Sequence, residues 1–222
     1  MKSTFAILAC AALCSPALAV DPKAGTWYHQ GTAIENGGLE DWGEAIAINP
    51  KGFVVAASDG APFSWNVVRE SGKAAASVSK DTAIKHGGKA SARITVEPTG
   101  EADDTVGLGQ HFSVEPNSCY TVRVWVRGEN IISATGKPGG ILIWANSGPA
   151  GDEFYSNQKS MAKHPDPATG TFDWQLLEFP VETGKNAERL GITLQLRWAS
   201  GTVWFDDVEV VKREALTPVK SY

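Results

Sequence analysis

Three stretches of this sequence alternate aliphatic side chains with aromatic, amide and guanidinium groups. In "CYTVRVWVRG", Tyr120, Val122, Val124 and Val126 alternate with Thr121, Arg123, Trp125 and Arg127. In "RLGITLQLRW", Ile192, Leu194 and Leu196 alternate with Thr193, Gln195 and Arg197. In "GGILIWAN", Ile141, Ile143 and Ala145 alternate with Leu142, Trp144 and Asn146. A period of two puts each set on its own face of a strand. If the strands share one sheet, its outer face gathers Trp125, Trp144, Arg123, Arg127, Gln195 and Arg197. Such a face suits a sugar, whose ring C–H groups lie on an indole while its hydroxyls meet Arg, Gln and Asn. The same residue types also form cross-strand pairs that stiffen an exposed sheet. Binding therefore requires both tryptophans on the same side of the molecule.

Each stack that buries about 60 Å² of apolar surface at roughly 25 cal/mol per Å² contributes about 1.5 kcal/mol. Two or three stacks give roughly 3 to 4.5 kcal/mol before ordering costs, which is millimolar affinity.

Near the end, "GTVWFDDVEVV" places Asp206 and Asp207 between an aromatic pair and a run of valines. Asp206 has the parity of Val208 and Val210, which predicts an inward carboxylate needing compensation. A hard cation, backbone N–H groups or an arginine would supply it. Asp207 has the opposite parity and is free to be solvated.

Catalytic constellations are sparse. The sequence has no G-x-S-x-G, no H-E-x-x-H, no P-loop and no paired Cys spacing. The four histidines are scattered, and His86 reads as part of a turn. Carboxylate pairs stand at Asp103–Asp104 and at Asp152–Glu153, and a glycosidase would need two acids facing across a cleft. The second pair lies in a segment of more than twenty residues, Ser147 to Gly170, without strand pattern, which also carries Phe154 and Tyr155. A loop this long in a compact domain is commonly functional, so Phe154 and Tyr155 join the expected binding residues.

The elements positioning these residues are short runs separated by Gly, Pro, Asn and Asp: "SARITVEP", "TVGLGQHFSVEP", "CYTVRVWVRG", "GGILIWANSG", "FDWQLLEFPVE", "RLGITLQLRWASG" and "TVWFDDVEVV". No segment of ten or more has a helical period. The expectation is an all-β antiparallel sandwich or barrel in one domain.

The 222 residues begin with Lys2, an apolar run from Phe5 to Leu13 and "ALA" at 17–19, the pattern of a signal peptide over 1–19 and of a secreted or periplasmic protein. Residues 20–30 read as a leader segment, 31–213 as the domain and 214–222 as a tail. Cleavage removes Cys10 and Cys14, leaving Cys119 and no internal disulfide. Net charge is −5; without Lys2 it is 19 minus 25, or −6. That balance argues against nucleic acid or an anionic membrane surface and towards a neutral ligand. No apolar run is long enough for membrane insertion.

"IENGGLEDW" at 34–42, "HGGKASARI" at 86–94 and "GTVWFDDVEV" at 201–210 resemble signature positions of the CenC-type carbohydrate-binding modules, the family 4 and 9 group of galactose-binding-like jelly rolls. "CYTVRVWVRG" is similar to the family's central strand and "GTFDWQLLEFPV" to its late strand. The resemblance covers roughly Ile34 to Val211 and implies a jelly roll that binds poly- or oligosaccharide without catalysis. It also implies a structural calcium ion held by Glu40 and Asp206 with carbonyls near Asn36 and Lys89. Leu39 stands where an aromatic is usual. Trp174 and Trp204 then belong to positions that pack the sandwich. Trp198 shares the parity of Leu194 and Leu196, Trp65 leans to the core, and Trp27 and Trp42 are undecided. The alternatives are a glycan-cleaving hydrolase on the same fold and a surface domain that binds protein.

Overall fold

The computed structural model describes residues 33–43, 56–57, 61–72, 74–98, 105–149, 161–163 and 168–213. Among them are thirteen strands and no helix. In chain order they are β1 (Trp42–Gly43), β2 (Ala56–Ala57), β3 (Ala61–Pro62), β4 (Asn66–Ser71), β5 (Ala76–Asp81), β6 (Ser91–Val96), β7 (Thr105–Ser113), β8 (Cys119–Ser133), β9 (Gly140–Gly148), β10 (Met161–Lys163), β11 (Gly170–Glu182), β12 (Arg189–Arg197) and β13 (Ala199–Lys212). One sheet runs β10-β9-β12-β7-β4 and the other β11-β8-β13-β6-β5-β2. A two-stranded pair, β1-β3, stands apart.

The core is the set of inward residues that alternation predicts. Val122, Val124 and Val126 of β8 and Val203 and Phe205 of β13 meet Ile141 and Ile143 of β9 and Leu190, Ile192, Leu194 and Leu196 of β12, all fully buried. Period-two strands with one apolar face have no other way to remove that face from water. Trp65 is buried in the same cluster, and Leu39 is enclosed at the expected aromatic position. Gln110 of β7 has core parity, and its amide accepts from Glu35 N (2.8 Å) and donates to Glu35 O (2.9 Å), tying the 33–43 segment to the sandwich.

Several sequence boundaries shift. "RLGITLQLRWASG" is two strands rather than one: Trp198 adopts a left-handed backbone (φ 47°), and the chain passes there from the five-stranded to the six-stranded sheet. Trp198 therefore leaves the parity of Leu194 and Leu196 and stands half-buried outside the core. The 147–170 segment, expected to lack strand, contains β10, which pairs with β9.

A second shift concerns Asp206. A bulge in the β13-β8 pairing falls between Asp206 and Glu209, and Asp207 has φ 44°. An extra residue in one strand reverses the facing of everything beyond it. Asp206 thus lies opposite Trp125 on the outward side with Trp204, while Val208 returns to the core.

Candidate functional site

The expected single face does not exist. Trp125, Arg123 and Arg127 belong to β8 in the six-stranded sheet, whereas Trp144, Gln195 and Arg197 belong to β9 and β12 in the five-stranded sheet. Both sets point away from the core, so they stand on opposite outer sides of the sandwich. Alternation within a strand is the same whichever sheet the strand joins, and β8 and β9, consecutive in sequence, cross between sheets. Phe154, Tyr155, Asp152, Glu153 and the Asp103–Asp104 pair lie outside the described residues.

On the six-stranded side the aromatics are already covered. The His86 imidazole stacks on Trp125 with ring centroids 3.8 Å apart and planes 14° from parallel, where a sugar ring would have to lie. Trp174 meets His86 edge-on at 5.8 Å; it is half-buried on this outer surface, and Phe172, Leu177, Phe179 and Val181 of β11 are the residues that pack inward. Trp204 is buried, as expected, but under the Arg127 guanidinium, 5.0 Å from its ring centroid, rather than in the core cluster. The charges pair with one another: Arg123 with Glu178 and Glu209, Arg127 with Asp173, and His86 with Asp207. This side binds its own 82–90 turn, whose sequence is too distant from β8 for the contact to be foreseen.

Two carboxylates anchor that turn. Asp81 ends β5 and accepts Ala83 N and Ile84 N on one oxygen and Trp204 Nε1 on the other, all at 2.9 Å. Burial acts to raise its pKa, but the Ile84, Trp204 and Ala83 donors and the Arg93 charge together hold it below the ordinary 3.8. A carboxyl more acidic when folded contributes stability that is complete above its unfolded value and is lost as pH falls through the folded one. Urea melts are therefore expected to show wild type losing more stability than Asp81→Asn as pH drops from about 5 to about 2. Parallel losses in the two proteins would remove this role.

Asp206 is fully buried. Its Oδ2 accepts His86 N (2.8 Å) and Gly87 N (3.1 Å), and its Oδ1 accepts Asp207 N (2.8 Å). Burial pushes its pKa up, the Gly87, His86 and Asp207 N–H groups oppose the rise, and the neighbouring Asp207 charge adds to it. Glu40 approaches the same turn, both its oxygens 2.8 Å from Lys89 N. Gly88 (φ 52°) suits this left-handed turn, and a Cβ there would lie 1.5 Å from Glu40 Oε1 and force that carboxylate to move. The compensation expected from a cation is thus supplied at least in part by backbone donors. Two carboxylates engage one turn, and oxygen donors of this kind are the type a hard cation takes. The Asn36 carbonyl, one of the expected supporting oxygens, already accepts Leu39 N and Trp65 Nε1. No group of three His, Cys, Asp or Glu among the described residues is arranged for a metal.

The five-stranded side is built differently. Across β9, β12 and β7 its outward residues fall in rows: Gly140, Arg197 and Thr105; Leu142, Gln195 and Gly107; Trp144, Thr193 and Gly109; Asn146, Gly191 and His111. Glycine and threonine fill much of this surface beside Leu142 and Gln195, and its larger side chains are Trp144, Arg197 and His111. The floor is polar yet buried: Thr105, His111, Thr193 and Gln195 are each at most 3% exposed. Trp144, Asn146 and Arg197 are half-buried. The Arg197 guanidinium lies 5.0 Å from the Trp144 ring centroid and 4.2 Å from that of Trp198. Asn146 Oδ1 is buried with no hydrogen-bond donor among the described residues. His111 and Trp198 were missed as members of this surface; the β7 parity that carries His111 was legible, but the backbone turn at Trp198 was not.

No family model matches the sequence, and no curated protein sequence matches it. Solved structures do match in shape. The chain is similar to the enzymatically active domain of tailspike protein 4 of bacteriophage CBA120 (11% identity, TM-score 0.51, over 68% of this chain and 20% of that one). It is similar to an arabinose-bound GH51 α-L-arabinofuranosidase (11%, 0.50, 85% and 27%) and to a CBM4 module (18%, 0.48, 81% and 99%). The fold is a jelly-roll β-sandwich. Further structures of similar fold are carbohydrate-binding modules of families 61, 22 and 27. The chain spans only a fifth of the tailspike domain and about a quarter of the arabinofuranosidase. At these identities the likeness is one of fold.

Proposed function

We propose that this is a non-catalytic carbohydrate-binding module, of the kind the CenC-type resemblance implies, binding glycan along the outer face of the five-stranded sheet. One observation carries this: a buried, polar floor of Thr, Gly and Gln bordered by Trp144, Arg197 and His111, with the Asn146 side-chain carbonyl oxygen lacking a donor among the described residues. A buried acceptor without a donor costs about 1–3 kcal/mol, and a sugar hydroxyl is a donor of suitable size. Arg123, Trp125 and Arg127 leave the proposed site, since His86 and local acids engage them. With one indole instead of two, stacking contributes about 1.5 kcal/mol, so the affinity depends on hydrogen bonds from Arg197, Gln195 and Asn146. No carboxylate is among the described outward side chains of β7, β9 and β12, which favours binding over glycosidic cleavage there.

Affinity electrophoresis of the full chain through gels containing plant and microbial polysaccharides tests the proposal. Retardation by at least one polymer, with no release of reducing sugar, is the expected result; unretarded migration through all of them would refute it.

Calcium belongs to the same proposal, with Glu40 and Asp206 as its carboxylate ligands. Sites of extracellular type bind at about 0.1–1 mM. At ten times its dissociation constant the ion would stabilise the fold by roughly 1.4 kcal/mol, or about 3–5 °C in Tm for a domain of this size. Thermal melts in EGTA and in about 10 mM CaCl₂ read this directly. Identical curves would leave the N–H groups of His86, Gly87 and Lys89 as the whole compensation.

A further inference from the structure

The His86 imidazole makes two kinds of contact with the six-stranded side: its ring lies flat on Trp125, centroids 3.8 Å apart, and its Nδ1–H donates to Asp207 Oδ2 at 2.6 Å. A pyranose would make the same two, with ring C–H groups on the indole and an edge hydroxyl to the carboxylate. From this equivalence we propose that Trp125 is a second sugar subsite, filled at rest by the protein's own imidazole, and that a neutral hexose chain binds there by displacing it. The subsite lies on the other side of the sandwich from the proposed glycan face and does not depend on it.

The ring is able to leave because the turn is held without it. Main-chain groups do the anchoring: His86 N and Gly87 N donate to Asp206, Ala83 N and Ile84 N to Asp81, Lys89 N to Glu40, and the Ile84 carbonyl accepts Ser91 Oγ. None of these bonds uses the imidazole. The ion pair that does use it joins side chains 30% and 39% exposed, a setting in which a pair contributes little. A change of χ1 at His86 therefore lifts the ring from Trp125 and leaves those backbone bonds in place.

The space so opened has the form of a sugar platform. Trp125 is its floor and Trp174, edge-on to His86 at 5.8 Å, is its wall. Leu176, opposite Trp125 on β11 and 42% exposed, continues the apolar surface. Arg123 and Arg127 stand two residues to either side, about 7 Å along β8, each beside an acid. Such surface pairs are weak enough to exchange partners with hydroxyl groups. The acids Glu178, Glu209, Asp173 and Asp207 outnumber the two arginines, so these surroundings repel a uronate and admit a neutral ring.

Isothermal titration of the full chain carrying Trp144→Ala, in which the five-stranded face is weakened, with cellohexaose, mannohexaose and trigalacturonate tests the subsite. Adding His86→Ala is expected to tighten binding of at least one neutral hexasaccharide about fivefold, the combined worth of an aromatic pair and an exposed ion pair. Adding Trp125→Ala as well is expected to abolish that gain, which a general loosening of the turn would not explain. Histidine-selective NMR of the Trp144→Ala protein gives a reading that needs no change at His86: its ring protons over Trp125 are expected to move downfield as sugar displaces the imidazole. Equal affinities with and without His86, a gain that survives loss of Trp125, an equal gain for trigalacturonate, or unmoved His86 resonances at the highest sugar concentration overturns the subsite. None of these outcomes bears on the five-stranded face, which gel retardation of the wild-type chain tests separately.

Discussion

Replacing Asp206 with alanine is expected to lower the free energy of unfolding by about 3–5 kcal/mol. Three N–H groups, those of His86, Gly87 and Asp207, converge on this one buried carboxylate. Removing it leaves buried donors without an acceptor, each worth about 1–3 kcal/mol, and only part of that is recovered by relaxation. The effect is expected to spread, because the same turn carries the Glu40–Lys89 contact and the His86 ring on Trp125. Asp207→Ala is the matched control. That carboxylate is 39% exposed and makes an ion pair with His86, so its loss is expected to cost no more than about 1 kcal/mol. Urea titration measures both. An Asp206→Ala protein within 1 kcal/mol of wild type would mean that water replaces the carboxylate without cost, and the anchoring role would be gone.

Trp144→Ala and Trp125→Ala are expected to fail in opposite ways. Loss of Trp144 removes the aromatic residue of the proposed binding face and one of the two rings against Arg197. A stack and a cation–π contact of about 1–2 kcal/mol each predict a ten- to hundredfold weaker affinity for any bound glycan. Its Tm should fall only modestly, because the indole is half-buried and lies outside the core cluster. Loss of Trp125 removes the platform under His86, and an aromatic pair is worth about 0.5–1.5 kcal/mol beyond the area it buries. That variant should melt several degrees lower and keep its glycan affinity. Binding by gel retardation and Tm by calorimetry, measured on both, separate the two faces. Loss of binding in Trp125→Ala with Trp144→Ala unaffected would move the site to the six-stranded side.

Much of the fold was legible because it rests on a local rule. The strands from β6 onward, β10 excepted, could be located from alternation and turn residues, and their inward apolar sets form the core cluster. The early strands were not: β5, "ASVSKD", has one branched apolar residue, and β1, β2 and β3 have two residues each. Such segments are strands only because a neighbour supplies the ladder. Of the candidate site, Trp144, Gln195 and Arg197 stand together as the alternation of β9 and β12 requires, and Glu40 and Asp206 each accept N–H groups of the 86–89 turn. Trp125, Arg123 and Arg127 do not join the first group.

The amino-acid sequence by itself determined which residues lie on the same side of each strand, since a period of two follows from backbone geometry and needs no partner. It determined that Asp206 must be compensated, since a carboxylate among aromatic and valine neighbours cannot be left bare. Only the tertiary structure decided which strands share a sheet, because pairing is settled by contacts between segments far apart in the chain, and swapping a strand between layers leaves its alternation unchanged. It also decided which way Asp206 points, through one extra residue in β13, and that Trp125 lies under His86 while Trp144 borders a row of buried threonine and glycine.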